Sequence, residues 1–227
     1  TDLARPKFAI MNPEITYTLP DYQTQCGCAD IMMHTMERYF VLEDTMEITD
    51  KIAQDVMKNV MKYAKILKKD PENYEARAEI MWCGSLSHNG LTGCGTCGGD
   101  WATHLIEHEL GGMFDVAHRA GLAAVWESWA RYVMDEKPER FAQFAVDVMG
   151  VEESDDVKST ALKGIEAVEE FYRMIEMPTN MKELGINPTD EQIKDMAMKA
   201  TNHDTQQLGA FKKLSAKDLV EIYKTAK

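Results

Sequence analysis

Asp30 and His34 stand four residues apart in a stretch where apolar and polar residues recur at three and four positions through Tyr39. On a helix that spacing puts a carboxylate oxygen and an imidazole nitrogen on one face, one turn apart, a two-point clamp for a divalent metal. His104 and His108 repeat the spacing, and His118 follows shortly after Gly111-Gly112, where a further helix should start. A helix hairpin would bring His34, His104, His108 and His118 together. Three neutral imidazoles and a carboxylate suit Zn²⁺ or Fe²⁺, and leave positions open for water or substrate only if the protein stops at four ligands. A fourth histidine nearby would then carry protons. The same spacing is common in hydrogen-bonded surface pairs, so by itself it leaves both readings open.

These side chains need helices to hold them. The helical period predicts helices at Asp30 to Tyr39, Thr49 to Leu67, Asn73 to Ser87, Trp101 to Met113, Arg119 to Met134, Pro138 to Met149, Asp155 to Ile175, Asp190 to Ala200 and Ala216 to Thr225. Asp70-Pro71 and Glu176-Met177-Pro178 break periodic runs, while Thr189 and Ser215 stand where N-caps are expected. Ahead of them, Lys7 to Pro13 and Thr16 to Pro20 read as an extended strap, and the opening reads as the middle of a longer polypeptide. Nothing after Pro20 reads as strand. The expected architecture is one all-α multi-helix bundle over residues 1–227, with a short N-terminal strap. The Gly-rich stretch Gly93 to Gly99 falls between two helices, where backbone must approach something closely.

A chain of 227 residues, 44% hydrophobic and 28% charged, has the composition of a globular domain with a real core. Its net charge of -13 and pI near 4.9 argue against a nucleic-acid or anionic-membrane surface, which would need excess Lys and Arg. No apolar run approaches the ~20 residues that span a bilayer. Five cysteines, an odd number without an apolar leader, fit a reducing cytoplasm better than a disulfide framework. Among the 16 methionines, Met32, Met33 and Met36 have the spacing of core filler more than of a copper site. Trp82, Trp101, Trp126 and Trp129 read as packing, and His88 and His203 as structural or exposed.

Four segments carry a likeness: Arg5-Pro6-Lys7-Phe8-Ala9-Ile10, Asp30-Ile31-Met32-Met33-His34-Thr35-Met36-Glu37-Arg38-Tyr39-Phe40, Tyr74-Glu75-Ala76-Arg77-Ala78-Glu79-Ile80-Met81-Trp82, and Gly99-Asp100-Trp101-Ala102-Thr103-His104 with His108-Glu109-Leu110. They resemble the iron-type (group III) alcohol dehydrogenases, in particular the NAD(P)-dependent butanol dehydrogenase branch, from near residue 5 to the C-terminus. The resemblance implies the C-terminal helical domain of the dehydroquinate synthase-like fold. It implies one divalent metal held by Asp30, His34, His104 and His118, with His108 beside the site as a proton relay. In that family the metal acts as Lewis acid on an alcohol or aldehyde oxygen while hydride passes to or from a nicotinamide. Iron or zinc is expected, with nickel or cobalt as further options.

The family's nucleotide-binding half lies outside these residues, and Gly93 to Gly99 does not follow the G-x-G-x-x-G spacing. NAD(P) is therefore expected only where a partner subunit supplies its site. A stand-alone metalloprotein with a hydrolytic or structural centre, or a relict scaffold whose uncovered face makes a homodimer, are the alternatives. Three departures from the family pattern stand out. Arg119 replaces the usual glycine after His118, a cation that would repel a metal if unpaired. Glu127 takes the place of a small residue or proline. Cys26, Cys28, Cys94 and Cys97 flank the expected ligands and read as inert thiols, with a second, cysteine-bound metal and a disulfide as the alternatives.

Overall fold

The computed structural model describes residues 2–4, 6–43 and 46–227. Nine α-helices occur among them: α1 Asp21–Tyr39, α2 Glu47–Leu67, α3 Tyr74–His88, α4 Ala102–Phe114, α5 His118–Val133, α6 Pro138–Asp147, α7 Val157–Met174, α8 Asp190–Ala200 and α9 Ala216–Thr225. No strand is present among the described residues; Leu208 and Leu214 form one isolated bridge. The expected all-α bundle is the observed one.

The predicted boundaries succeed where local chemistry sets them. Thr189 and Ser215 cap α8 and α9 in reciprocal capping boxes with Gln192 and Asp218. Asn73 caps α3 by accepting from the Ala76 N–H at 3.0 Å. The exception is α1, which begins at Asp21, nine residues before Asp30. Asp21 to Gln23 are exposed, and the polar residues that follow are buried, Thr24 at 6% and Gln25 at 0% exposure, so no amphipathic stripe marks its start. Other helices supply partners: Arg77 Nη1 donates to Thr24 Oγ1 at 3.0 Å, and Gln25 Nε2 donates to the Ala64 carbonyl at 3.5 Å.

The strap also differs in part. Phe8 and Ile10 lie exposed in irregular backbone, as expected, but Pro13–Thr16 forms a short 3₁₀ turn capped by the Asn12 side chain. Arg5, the first residue of the strap's likeness to the family, lies outside the described residues.

Helix α1 runs through the bundle against α2, α3 and α5, and α5 packs in turn on α4, α7 and α9. At the C-terminal end of α1, Phe40 stacks on Phe141 at 4.3 Å within a cluster that includes Trp126, Trp129, Phe144 and Phe211. Met32, Met33 and Met36 are fully buried beside them as core filler. Arg140 locks this end. Its guanidinium, 4% exposed, donates to both Asp50 oxygens at 2.5 and 2.7 Å and to the Tyr39 carbonyl, tying α6 to α1 and α2. Where α6 meets α7, a Cβ on Gly164 would lie 2.5 Å from the Ala145 Cβ, so the helices cross closely because Gly164 has no side chain.

Candidate metal centre

The middle of α1 presents Asp30, His34 and Glu37, the first two turns of α4 present His104, Glu107 and His108, and the first turn of α5 presents His118 and Arg119. The α3–α4 connection is folded onto α1 to make this possible. Gly99, at φ +117°, lets the chain pass where any Cβ would lie 2.8 Å from the Glu37 carbonyl. The Asp100 N–H donates to that carbonyl at 2.8 Å. Asp100 Oδ1 then accepts from the Ala210 and Phe211 N–H groups, both at 2.6 Å, and Oδ2 from Ala102 at the start of α4. This close approach is the reason for the Gly-rich stretch.

Asp30 is the hub. Its Oδ1 lies 3.8 Å from His34 Nε2, and its Oδ2 accepts from Arg119 Nε at 3.1 Å and lies 3.7 Å from His88 Nε2. The His34 ring stands 4.7 Å from that of His104, and His104 stands 5.5 Å from His118. Donor atoms of Asp30, His104 and His118 fall within 4.8 Å of one another, as do those of Asp30, His34 and His88, and those of Glu107, His108 and His118. The structure thus brings Asp30, His34, His104 and His118 together around one carboxylate. It sets His108 at the exposed edge, 5.4 Å from His118 between ring centres.

Two of the imidazoles, His104 and His118, are held from behind. Glu37 Oε1 accepts both the backbone N–H of His104, at 3.1 Å, and its ring Nδ1–H, at 3.0 Å. That fixes the proton on Nδ1 and leaves Nε2 as a lone pair, which is buried and unpartnered. Glu107 Oε2 holds His118 Nδ1 in the same way. Gly121 makes room for it, since a Cβ there would lie 2.6 Å from Glu107 Oε1. Asp30 Oδ1 and His34 Nδ1 are also buried without a hydrogen-bond partner. Buried polar atoms are almost always paired, and here Asp30 Oδ1 and His104 Nε2 are left without a partner, while the His34 nitrogen that faces Asp30 is Nε2. Such a donor set fits a divalent cation.

The electrostatics agree. Burial works against ionisation of Asp30, but His88 and the Arg119 hydrogen bond outweigh it and bring its pKa to about 2. Burial, with His88 and His104 as neighbours, drives His34 down to about 3, so it is a neutral donor. Glu107 raises His118. Arg119 is paired with Asp30, which removes the unpaired cation that sequence alone raised as a concern. Arg38 donates to the His34 and Ser87 carbonyls and covers the Trp101 ring at 4.7 Å.

Several expectations need correction. Cys26 and Cys28 are buried within α1 while Cys94 and Cys97 are exposed on the loop, all five thiols are free, and no cysteine belongs to a metal-capable group among the described residues. Burial raises Cys28 to about 12, which leaves it a protonated core residue. Glu127 pairs with Arg131 at 2.7 Å on α5 and takes no part in the cluster. Trp126 and Trp129 are core, but Trp82 is half-exposed, and Trp101 stands at the site in left-handed backbone, φ +62°, 5.2 Å from His104. His203 lies in an exposed turn, as expected, whereas His88 belongs to the cluster. From sequence alone Glu37 and Glu107 have no assigned role, and His88 reads only as structural or exposed. The two glutamates each follow a site histidine by three residues, the one local signal that marked them.

A helical bundle of this topology is the C-terminal half of the iron-type alcohol dehydrogenases. Residues 24–227 match the Fe-containing alcohol dehydrogenase family, C-terminal, and the chain belongs to that family. It is 34% identical over 224 residues to NADH-dependent butanol dehydrogenase A of Clostridium acetobutylicum, covering 98% of this chain and 57% of that protein. It is 32% identical to the NADPH-dependent aldehyde reductase YqhD of Escherichia coli, with the same coverage. The substrate- and cofactor-free structure of that reductase superposes with a TM-score of 0.92 at 30% identity, over 98% of this chain and 58% of that one. NADH-dependent butanol dehydrogenase A of Thermotoga maritima gives 0.86 at 34%, over 94% and 54%. The chain spans little more than half the length of these relatives.

Proposed function

We propose that this chain is the metal-binding catalytic half of an NAD(P)-dependent alcohol dehydrogenase or aldehyde reductase acting on small alcohols and aldehydes. The observation that supports it best is the convergence of His34, His104 and the half-exposed His118 on Asp30, with Asp30 Oδ1 and His104 Nε2 buried and without a hydrogen-bond partner. These four residues hold one divalent metal, and iron and zinc both suit three imidazoles and a carboxylate. When bound, the metal supplies Lewis-acid polarisation of the alcohol or aldehyde oxygen. The remaining work falls to the protein. Glu37 and Glu107 keep His104 and His118 in the Nδ1–H tautomer, with Nε2 directed at the centre. His108, exposed on the next turn of α4, moves protons between the site and water.

Nicotinamide binding is assigned to residues outside this chain, in keeping with relatives named for NADH and NADPH. The exposed apolar side chains of the strap, Leu3, Phe8, Ile10 and Ile15, are the surface assigned to contact with that half. Five free thiols suit the reducing cytoplasm. The test is reduction of butanal by NADH or NADPH with this chain joined to the nucleotide-binding half of a relative. Turnover abolished by EDTA and by Asp30→Asn is expected, and turnover indifferent to both contradicts the proposal.

A further inference from the structure

His88 closes α3 and faces the cluster from the solvent side, its ring 3.9 Å from that of His34 between centres. Its Nδ1 lies 2.9 Å from the Gly84 carbonyl and 2.7 Å from Ser87 Oγ. A carbonyl oxygen can only accept, and the Ser87 hydroxyl is itself donating to the same carbonyl at 3.0 Å. Nδ1 therefore carries a proton. In the neutral ring that leaves Nε2 as a lone pair, and Nε2 is the atom facing Asp30, at 3.7 Å from Oδ2. At that separation no hydrogen bond joins them. Asp30 Oδ2 and His88 Nε2 thus face each other without a hydrogen bond between them. Donation of Nδ1–H to a carbonyl is also the arrangement that orients metal-ligating imidazoles.

The proposed four-ligand set does not use this residue, yet donor atoms of Asp30, His34 and His88 lie within 4.8 Å of one another. His88 differs from His104 in one respect that bears on its role. Its side chain is 42% exposed, against 8% for His104, and it sits on the last turn of a helix, so it is free to swing outward without disturbing the core.

We propose that His88 is a fifth, exchangeable metal ligand, which closes the open side of the centre through Nε2 and gives way when an oxygen ligand enters. This inference rests on the proposed metal site. It changes the reading of that site from a four-ligand centre with permanently open positions to one whose open position is guarded by the protein. His34 Nε2 faces Asp30 Oδ1 and His88 Nε2 faces Oδ2, which Arg119 also engages, so the two imidazoles stand on either side of the same carboxylate.

The experiment is titration of the metal-free chain with Co²⁺, alone and against a chelating dye, for wild type, His88→Ala, His88→Gln and His34→Ala. Loss of one donor should weaken affinity ~10-fold or more in both His88 variants. It should also intensify the visible cobalt bands, as coordination falls from five to four. Added imidazole should restore the wild-type spectrum in His88→Ala, a rescue that a merely structural role for His88 would not give. Cobalt bound with unchanged affinity and spectrum in both His88 variants overturns the inference while the site itself stands, provided His34→Ala loses the metal. Wild-type protein that takes up no cobalt overturns the site and the inference together. Both variants change an exposed ring at a helix end, and unchanged circular dichroism establishes that they fold.

Discussion

Around Asp30 two of the imidazoles, His104 and His118, have a second contact that decides which nitrogen faces the centre, and each of those contacts comes from another helix. Glu37 on α1 serves His104 on α4, 67 residues away, and Glu107 on α4 serves His118 on α5. Removing the carboxylate leaves the ligand in place but frees its tautomer and orientation. Glu37→Gln and Glu107→Gln should each lower metal affinity by roughly 10–100-fold, measured by competition with a chelator, with little change in the fold. Arg119→Ala should act in the opposite sense. It removes a positive charge from a carboxylate proposed to bind a dication, and affinity should rise roughly tenfold at low salt and less at high salt; an unchanged or weaker affinity would show that Arg119 serves mainly to hold Asp30 in place. At this scale the sequence displayed Asp30, His34, His104, His108 and His118, because i, i+4 spacing and family likeness are both local. Glu37, Glu107 and His88 were hidden, because what gives them meaning is a contact between distant turns.

At the level of elements, the site depends on how α1 is gripped at its end and how the loop before α4 is pinned to it. Arg140 is a buried cation whose partners belong to two other helices. Arg140→Ala would strand the Asp50 carboxylate and the Tyr39 carbonyl, costing about 3–5 kcal/mol, read as the shift in urea midpoint. Asp100 carries a pH signature. Its burial, with Glu37 nearby, raises its pKa to about 6 despite the backbone N–H donors of Phe211, Ala102 and Ala210. Between roughly pH 4 and 6 the folded chain keeps a proton that the unfolded chain has lost, so this residue's contribution to stability falls as pH rises through that window. Asp100→Asn should flatten the slope there, and an unaltered profile would place the proton elsewhere. The helices themselves were legible from Thr49 onward, where one face is apolar and caps are of standard type. The first nine residues of α1 were not, since Thr24 and Gln25 stand on their buried side where an apolar stripe would mark a helix.

For the molecule as a whole, binding and folding should be coupled. An ion that prefers the assembled donor set stabilises the folded state by about 2.7 kcal/mol at a hundredfold excess over its Kd. In a chain of 227 residues this raises Tm by roughly 5–10 °C. Scanning calorimetry with Zn²⁺ or Fe²⁺ should show that rise in wild type, its reversal by EDTA, and its absence in Asp30→Asn. The bundle architecture was readable from pattern and likeness together, whereas the folding of the Gly-rich loop onto Glu37 was not, because it is set by tertiary contact and by a positive φ at Gly99.

The most direct measurement is elemental analysis of the purified chain beside His34→Ala. About one iron or zinc per wild-type chain, lost in the variant, is the predicted result. Metal content that is the same in both, at one or at zero per chain, would contradict the assignment of Asp30, His34, His104 and His118 as the centre.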